Sequence, residues 1–204
     1  MIITNIEKTK RGRYSIFVDG EFYDALHVEI YAGADLKIGN EISEEKLYEL
    51  KTKSDMKITR DKALKLLSIK DYSRKALVEK LEKYAERYIC EEIVNKMQEL
   101  GLLDDEKYAM AMARDLHNLK SYGNMRIIRY LREKGIDSDL AKRAAAQFDE
   151  ENENEKINAL LRKKCKKPLS DRKEYEKIFA YLMRMGYNYG DIKSAMADYM
   201  ENEE

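Results

Sequence analysis

Hydrophobic positions recur with helical spacing over most of the chain, from about residue 59 onward. Apolar residues three or four positions apart form stripes, for example Ala63, Leu66 and Leu67, that would face a core. Similar stripes return in three successive units. One helix end has the same pattern in each unit, because a leucine is followed four residues later by a small residue. The pairs are Leu81 and Ala85, Leu131 and Gly135, and Leu182 and Gly186.

These leucines are spaced about 50 residues apart, a period typical of arrays of small helical units. Helix boundaries within the units follow from residues that cap or stop helices. The sequence predicts helix starts at Ser73, Asp104, Gly123, Asp137, and Ser170 or Asp171, and helix ends at Gly101, Gly135, Pro168 and Gly186.

The N-terminal segment has a different pattern, which predicts three antiparallel strands at 2–7, 13–18 and 21–26. Asp19-Gly20 suits a two-residue hairpin turn, because both central positions of that turn need positive φ. Ser43 and the acidic residues after it predict a helix reaching to about Lys53, with a short helix or turn at 28–32. A small sheet is marginal alone, so we expect it to pack on the following helix.

The predicted fold class is therefore mainly α: tandem three-helix repeats preceded by a small antiparallel β-meander and a helix. We divide the chain into a meander with its helix at 1–56, a first repeat at 57–102, a second at 103–150 and a third at 151–204. Identity between the units is low, so what repeats is the hydrophobic pattern.

Composition narrows the function classes. The chain has 204 residues, of which 38% are charged, against about 25% in ordinary domains. The formal net charge is zero, which argues against a simple polycationic DNA coat but leaves room for local basic clusters. Cys90 and Cys165 are isolated and predict a reducing compartment. With no signal-peptide pattern and no apolar run long enough to span a bilayer, we expect a cytoplasmic protein without membrane contact.

The sequence offers no convincing catalytic, cofactor or metal site. His27 and His117 are the only histidines and lie in different regions. No glycine-rich phosphate loop precedes a helix. Asp104 and Asp105 form a carboxylate pair, but helix capping explains their position better. We therefore expect a protein that is not an enzyme and binds no cofactor.

Basic clusters are the better candidates for a functional surface. Arg126 and Arg129 are neighbours on one predicted helix face. The alternative is an ordinary solvated surface with intrahelical ion pairs. Nearby tyrosines, such as Tyr122 and Tyr130, fit packing at core edges better than stacking on bases. The candidate partner-binding or DNA-binding residues are Arg74, Lys75, Arg126, Arg129, Arg132, Lys163, Lys164, Lys166 and Lys167.

Several segments resemble the RecX family. The segment from Gly101 to Ala109, Gly-Leu-Leu-Asp-Asp-Glu-Lys-Tyr-Ala, is the most specific. The runs 63–67 and 72–77, and the segment from Gly123 to Ile136 with its Lys-Gly-Ile end, complete the resemblance. It covers about residues 55–150 well, whereas the third unit and the N-terminal strands match in architecture. One departure is Ser121-Tyr122-Gly123-Asn124, which is less basic than the family pattern.

The resemblance implies an elongated, curved array that binds in the helical groove of the RecA–single-stranded DNA filament. It implies a regulator that mostly inhibits RecA ATPase, filament extension and strand exchange, and we expect a monomer. An alternative is a direct binder of single- or double-stranded DNA with helix-turn-helix-like units, and a third is a helical scaffold with neither activity. The N-terminal strands could dock on RecA or only cap the array.

Overall fold

The computed structural model describes residues 1–148, 150–165, 169 and 171–201, and of residues 150–152 only the backbone. The chain divides into two compact units, an N-terminal unit (Met1–Leu103) and a C-terminal unit (Asp104–Glu204). Helices dominate both units, as predicted. Among the described residues, none of the helices combines the length and apolar character needed to cross a lipid bilayer.

The N-terminal unit begins with the predicted antiparallel meander, whose strands are β1 (Ile3–Lys8), β2 (Tyr14–Val18) and β3 (Glu21–Leu26) in the order β1-β2-β3. The hairpin turn is confirmed, because Asp19 and Gly20 have φ values of 50° and 91°. The short helix α1 (Val28–Ala32) follows. Inward-facing side chains of the sheet, such as Ile16 and Leu26, form a core with helix residues Leu47 and Leu50, so the predicted packing on the next helix is confirmed.

The next helix is longer than predicted. The sequence predicts separate helices before and after about residue 56, and this prediction is wrong: α2 (Glu44–Leu67) runs without a break. The intervening segment contains neither glycine nor proline, so nothing stops the helix. Its buried polar residues, Ser54 and Thr59, interrupt the apolar stripe, and Ser54 Oγ accepts a hydrogen bond from the His27 N–H at 2.8 Å.

The first repeat consists of the C-terminal part of α2 together with α3 (Arg74–Leu81) and α4 (Arg87–Glu99). Ser73 caps α3, since its hydroxyl accepts from the Ala76 N–H at 3.3 Å. Gly101 has φ +68° just beyond α4, as the predicted stop requires. Leu77, Leu81 and Cys90 are fully buried in the core that these helices share.

The C-terminal unit holds the second and third repeats. Asp104, Asp137 and Asp171 each accept backbone N–H bonds at a helix start, which confirms those predicted caps. Pro168 and Ser170, also proposed as boundaries, lie outside the described residues. The helices are α5 (Asp105–Lys120), α6 (Asn124–Glu133), α7 (Ser138–Ala145), α8 (Glu150–Lys164), α9 (Arg172–Met185) and α10 (Tyr189–Glu201).

The three repeating leucines are core residues in all three repeats, since Leu81, Leu131 and Leu182 are each fully buried. The turns that follow them differ. Gly135 and Gly186 have φ values of 84° and 94°. In each of these two turns, the carbonyl of the repeating leucine accepts a hydrogen bond from the N–H group five residues after it. The first repeat lacks this turn, because alanine at position 85 does not supply a left-handed residue. Equivalent leucines therefore do not imply equivalent turns.

His117 makes the core of the second repeat sensitive to pH. The residue is 2% exposed, and its ring stacks on Phe148, with ring centroids 4.0 Å apart. Burial, and then repulsion from Lys156, lower the pKa of His117 below its ordinary value of 6.5. The neutral ring therefore stabilises the fold above that value, and this contribution is lost as pH falls from 6.5 towards the folded-state pKa.

We therefore expect the urea midpoint of the protein to fall between about pH 7.5 and pH 5.5 more steeply than that of a His117→Gln variant. The variant has no titrating group at this position, so a comparison of slopes removes the constant cost of the substitution. Equal slopes for the two proteins, measured by circular dichroism, would contradict this assignment.

Candidate functional site

The second and third repeats meet where two glycine backbones touch. Gly123 begins α6 and Gly186 follows α9. The Gly123 N–H donates to the Met185 carbonyl at 2.9 Å, and the Met125 N–H donates to the Gly186 carbonyl at 3.1 Å. A Cβ atom added to Gly123 would lie 2.6 Å from backbone atoms of Gly186 and Tyr187. The close approach of α6 to the end of α9 therefore depends on glycine at position 123.

Buried polar contacts fix the same junction. The Tyr187 hydroxyl donates to the Ser121 carbonyl at 2.9 Å, and the tyrosine is 1% exposed. Glu153 of α8, also buried, accepts from the Asn124 N–H at 2.8 Å and so caps α6, where Gly123 supplies no side chain. Burial, followed by the charge of Glu153, raises the pKa of Tyr187, so it stays a neutral donor.

Arg126 ties the junction to the surface. Its guanidinium lies 3.8 Å from the centroid of the Tyr122 ring, within cation–π range. Its Nη1 donates to the Arg184 carbonyl at 3.1 Å. Tyr122 itself packs against the cores of both repeats. Arg126 therefore holds α6 against the end of α9, and part of its side chain is also available to a ligand.

A cleft of about 740 Å³ opens beside this contact, and we call it the α6–α9 cleft. Three of its lining residues are arginines and one is a glutamate. Met125 and Met183 on its surface are 62% and 44% exposed. Within the described part of the chain, no ion pair involves Arg129 or Arg184. The cleft is lined by Tyr122, Met125, Arg126, Arg129, Tyr130, Glu133, Tyr181, Met183, Arg184, Met185 and Gly186.

Each of the three tyrosines in the cleft has a cation close to its ring. Arg126 lies over Tyr122, and Lys134 lies 5.3 Å from the centroid of Tyr130. The Lys164 ammonium lies 5.4 Å from the centroid of Tyr181. Cations held beside aromatic rings offer positive charge and a flat apolar surface together. The cleft is therefore suited to an anionic partner that also presents apolar or planar groups.

The structure brings some of the predicted site residues together and not others. Arg126 and Arg129 line the cleft, and Lys164 reaches it through Tyr181. Arg132 and Lys163 are exposed in the same unit but do not line it. Lys166 and Lys167 lie outside the described residues.

The two remaining predicted site residues, Arg74 and Lys75, belong to the N-terminal unit. Arg74 Nη2 donates to Asn95 Oδ1 at 2.8 Å, which joins the start of α3 to α4. Lys75 is exposed, and its Nζ lies 3.9 Å from Oε1 of Glu79, which is one helical turn further along α3. Arg74 therefore has a structural bond to α4, whereas Lys75 resembles the solvated, ion-paired surface that was the alternative reading of these clusters.

Sequence reasoning missed Arg184 and Tyr181, which complete the cleft, and Glu153, which caps α6. These residues lie on α8 and α9, far along the chain from α6. The only local signal is that glycines border α6 and α9 at the facing positions, Gly123 and Gly186. A glycine at a helix start, where Ser or Asp is preferred, is a hint of close backbone approach.

Comparison with known protein families gives three matches along the chain. Residues 1–43 match a model described as the regulatory protein RecX N-terminal domain. Residues 104–144 match the second three-helix domain of RecX, and residues 150–196 match its third three-helix domain. The cleft thus lies between two segments that are separately similar to RecX repeats.

Individual relatives agree with these models. A regulatory protein RecX from Clostridioides difficile is 32% identical over 199 residues, covering 96% of this chain and 94% of the relative. One from Bacillus subtilis is 26% identical and covers 98% of this chain and 78% of its own length. A crystal structure of regulatory protein RecX superposes with a TM-score of 0.66 at 26% identity, covering 95% of this chain and 98% of that one.

A second structure, of RecX from Lactobacillus salivarius, has a TM-score of 0.62 at 28% identity. It covers 72% of this chain and 97% of the other. At these identities and coverages the similarity extends over both compact units.

Proposed function

The chain belongs to the RecX family, and from that premise we propose that it binds the filament that RecA forms on single-stranded DNA. The name of its relatives, regulatory protein RecX, supports a regulatory role towards RecA. We propose that this chain lies in the helical groove of the filament and lowers RecA ATPase activity, filament extension and strand exchange. It would act in the cytoplasm as a monomer and by binding alone, without catalysis.

The observation that carries the proposal is the α6–α9 cleft. A RecA filament carries DNA phosphates and protein carboxylates, and the cleft offers Arg129 and Arg184 without carboxylate partners in the described part of the chain. Exposed methionines beside them supply adaptable apolar contact. Contacts of this kind from several linked repeats would add to one another if they reach the filament together.

The direct test is the rate of RecA ATP hydrolysis on single-stranded DNA, measured with increasing amounts of the purified chain. We expect the rate to fall progressively and to level off once the filament is saturated. The circular-dichroism spectrum confirms that the added protein is folded. An unchanged rate over the whole range would contradict the proposal.

A second candidate function is direct binding of single-stranded DNA, and the tyrosine–cation pairs of the cleft favour it. Bases stack on aromatic rings while the neighbouring cations meet phosphates. This candidate predicts binding to an oligonucleotide in the absence of RecA. Affinity that depends on several phosphates should fall by about 10³-fold or more between roughly 50 and 200 mM salt. Filament binding through protein contacts would depend less on salt.

A further inference from the structure

A second group of cations beside an aromatic ring lies in the first repeat, apart from the α6–α9 cleft. Lys62 of α2 and Lys83, in the turn after α3, both approach the ring of Tyr84. Their Nζ atoms lie 5.5 and 5.1 Å from the ring centroid, within cation–π range. The Tyr84 N–H donates to the Leu81 carbonyl at 2.8 Å, which fixes the turn that carries the ring. We call Lys62, Lys83 and Tyr84 the Tyr84 cluster.

The two lysines of this cluster are not neutralised by carboxylates. In the N-terminal unit, which the structure describes from end to end, no ion pair involves Lys62 or Lys83. The carboxylates next to them in sequence have other partners. Glu82 accepts a hydrogen bond from Arg87 at 2.9 Å, and Asp61 is paired with a lysine one helical turn earlier in α2. The Tyr84 cluster therefore keeps two positive charges available to a ligand.

Positive charge is concentrated in this part of the chain. The segment 57–85 contains nine lysines and arginines against four aspartates and glutamates, although the whole chain has no formal net charge. Nearer the start of α2, by contrast, Lys46 and Lys53 both pair with Glu49. The unpaired lysines of the Tyr84 cluster thus differ from the ion-paired lysines of the same helix.

A similar combination of lysine and tyrosine occurs at the other end of α3. Lys70 Nζ lies 4.8 Å from the centroid of the Tyr72 ring, just before the helix begins. Tyr72 and Tyr84 flank the eight residues of α3, so about 12 Å of helix separates them. Both tyrosines pack, half-buried, against the core of the first repeat. Each ring is therefore held in place while its neighbouring lysine remains mobile enough to meet a ligand.

We propose that the Tyr84 cluster binds single-stranded nucleic acid, with Lys62 and Lys83 on its phosphates and Tyr84 against a base. This site deepens, and rests on, the second candidate function, and it lies outside the cleft. An exposed ring holds a cation weakly, so a phosphate can draw the ammonium away and leave the ring to a base. A single strand fits better than a duplex, because its unstacked bases can reach the ring.

The absence of arginine from the Tyr84 cluster disfavours an acidic protein segment as the ligand. Carboxylates are recognised best by the two parallel hydrogen bonds of an arginine, whereas lysine meets phosphates as a point charge. An acidic segment would also bring no planar group to the Tyr84 ring. Lysines beside an aromatic ring are typical of contacts that do not depend on nucleotide sequence.

The test is the fluorescence anisotropy of a labelled oligothymidylate titrated with the full chain in the absence of RecA. We expect the variant Lys62→Ala/Lys83→Ala to bind about tenfold more weakly than the wild type at physiological salt. Because two phosphate contacts are lost, the slope of log affinity against log salt should become shallower by about 1.4. The matched control is Lys46→Ala/Lys53→Ala, which removes the same charge from lysines paired with Glu49 and should bind like the wild type. Circular dichroism checks that both variants are folded.

Photo-crosslinking from 5-iododeoxyuridine in the oligonucleotide identifies the residue that meets a base. A crosslink to the peptide containing Tyr84 supports the proposal, and crosslinks confined to the C-terminal unit would overturn it. Displacement of the oligonucleotide by an equal charge concentration of polyglutamate would also overturn it, in favour of an acidic protein ligand.

The variants separate this site from the other proposals. Wild-type affinity of the Lys62→Ala/Lys83→Ala variant, or an equal loss in the control, would overturn the site while leaving DNA binding through the α6–α9 cleft in place. If the wild type does not bind the oligonucleotide, the second candidate function and this site fall together. Binding to the RecA filament is not affected by that result, because it is measured separately by ATP hydrolysis.

Discussion

Replacing Gly123 by alanine is expected to destabilise the C-terminal unit by about 3 kcal/mol. The added Cβ atom would lie 2.6 Å from the carbonyl carbon and oxygen of Gly186 and from the Tyr187 nitrogen. All three are backbone atoms, so no side-chain rotation relieves the clash. They are also held in place, because Gly123 and Met125 each donate a hydrogen bond across the junction. The variant must therefore separate α6 from the end of α9 or lose those bonds.

Urea denaturation followed by circular dichroism measures this loss. The matched control is Gly33→Ala, since Gly33 also has a negative φ of −87° and its added Cβ would meet nothing nearer than 3.6 Å. Alanine there should be neutral or slightly stabilising, because it lowers the entropy of the unfolded chain. Equal stability of the two variants would show that the junction can open at little cost.

The two glycines illustrate what the sequence does and does not predict. Gly186 was expected to end a helix and does so with φ +94°, because a left-handed residue after a helix is a local requirement. That Gly123 touches it is not a local property. The two residues are far apart in the chain, and their contact depends on how α8, α9 and α10 place the third repeat. Caps and turns were therefore predictable, whereas the junction was not.

The continuity of α2 was missed for a related reason. Ser54 and Thr59 break its apolar stripe, yet both are buried, and Ser54 is satisfied by the His27 backbone from outside the helix. A polar residue within an apolar stripe suggests a helix boundary when its tertiary partner is not known. The absence of glycine and proline between residues 51 and 61 was the better guide.

The candidate site was predicted in part. The i, i+3 spacing of Arg126 and Arg129 on one helix correctly placed them together. From the sequence alone the two arginines are equivalent, whereas in the structure they differ in exposure and in their contacts. Arg126 is half-buried, stacks on Tyr122 and bonds the Arg184 carbonyl, while Arg129 is exposed. Reversing the charge at Arg126 would place a carboxylate against that carbonyl and damage the junction, so a loss of function there would be ambiguous.

The sharper test of the cleft is the double variant Arg129→Glu/Arg184→Glu. Both side chains are exposed and line the cleft, so the change removes positive charge without removing a described structural bond of either side chain. We expect its inhibition of RecA ATPase to require a concentration on the order of 100-fold higher than the wild type. The reason is that each reversal replaces an attraction by a repulsion where the partner is anionic. The concentration giving half-maximal inhibition is the measured quantity.

The control for this variant is Arg132→Glu/Lys163→Glu, which makes the same change in net charge. Arg132 lies on α6 and Lys163 on α8, both exposed and neither lining the cleft. If the cleft is the contact surface, the control should inhibit RecA nearly as well as the wild type, because general surface charge acts weakly at physiological salt. If the control loses as much inhibition as the cleft variant, inhibition depends on the net charge of the whole unit, and the assignment to the α6–α9 cleft is wrong.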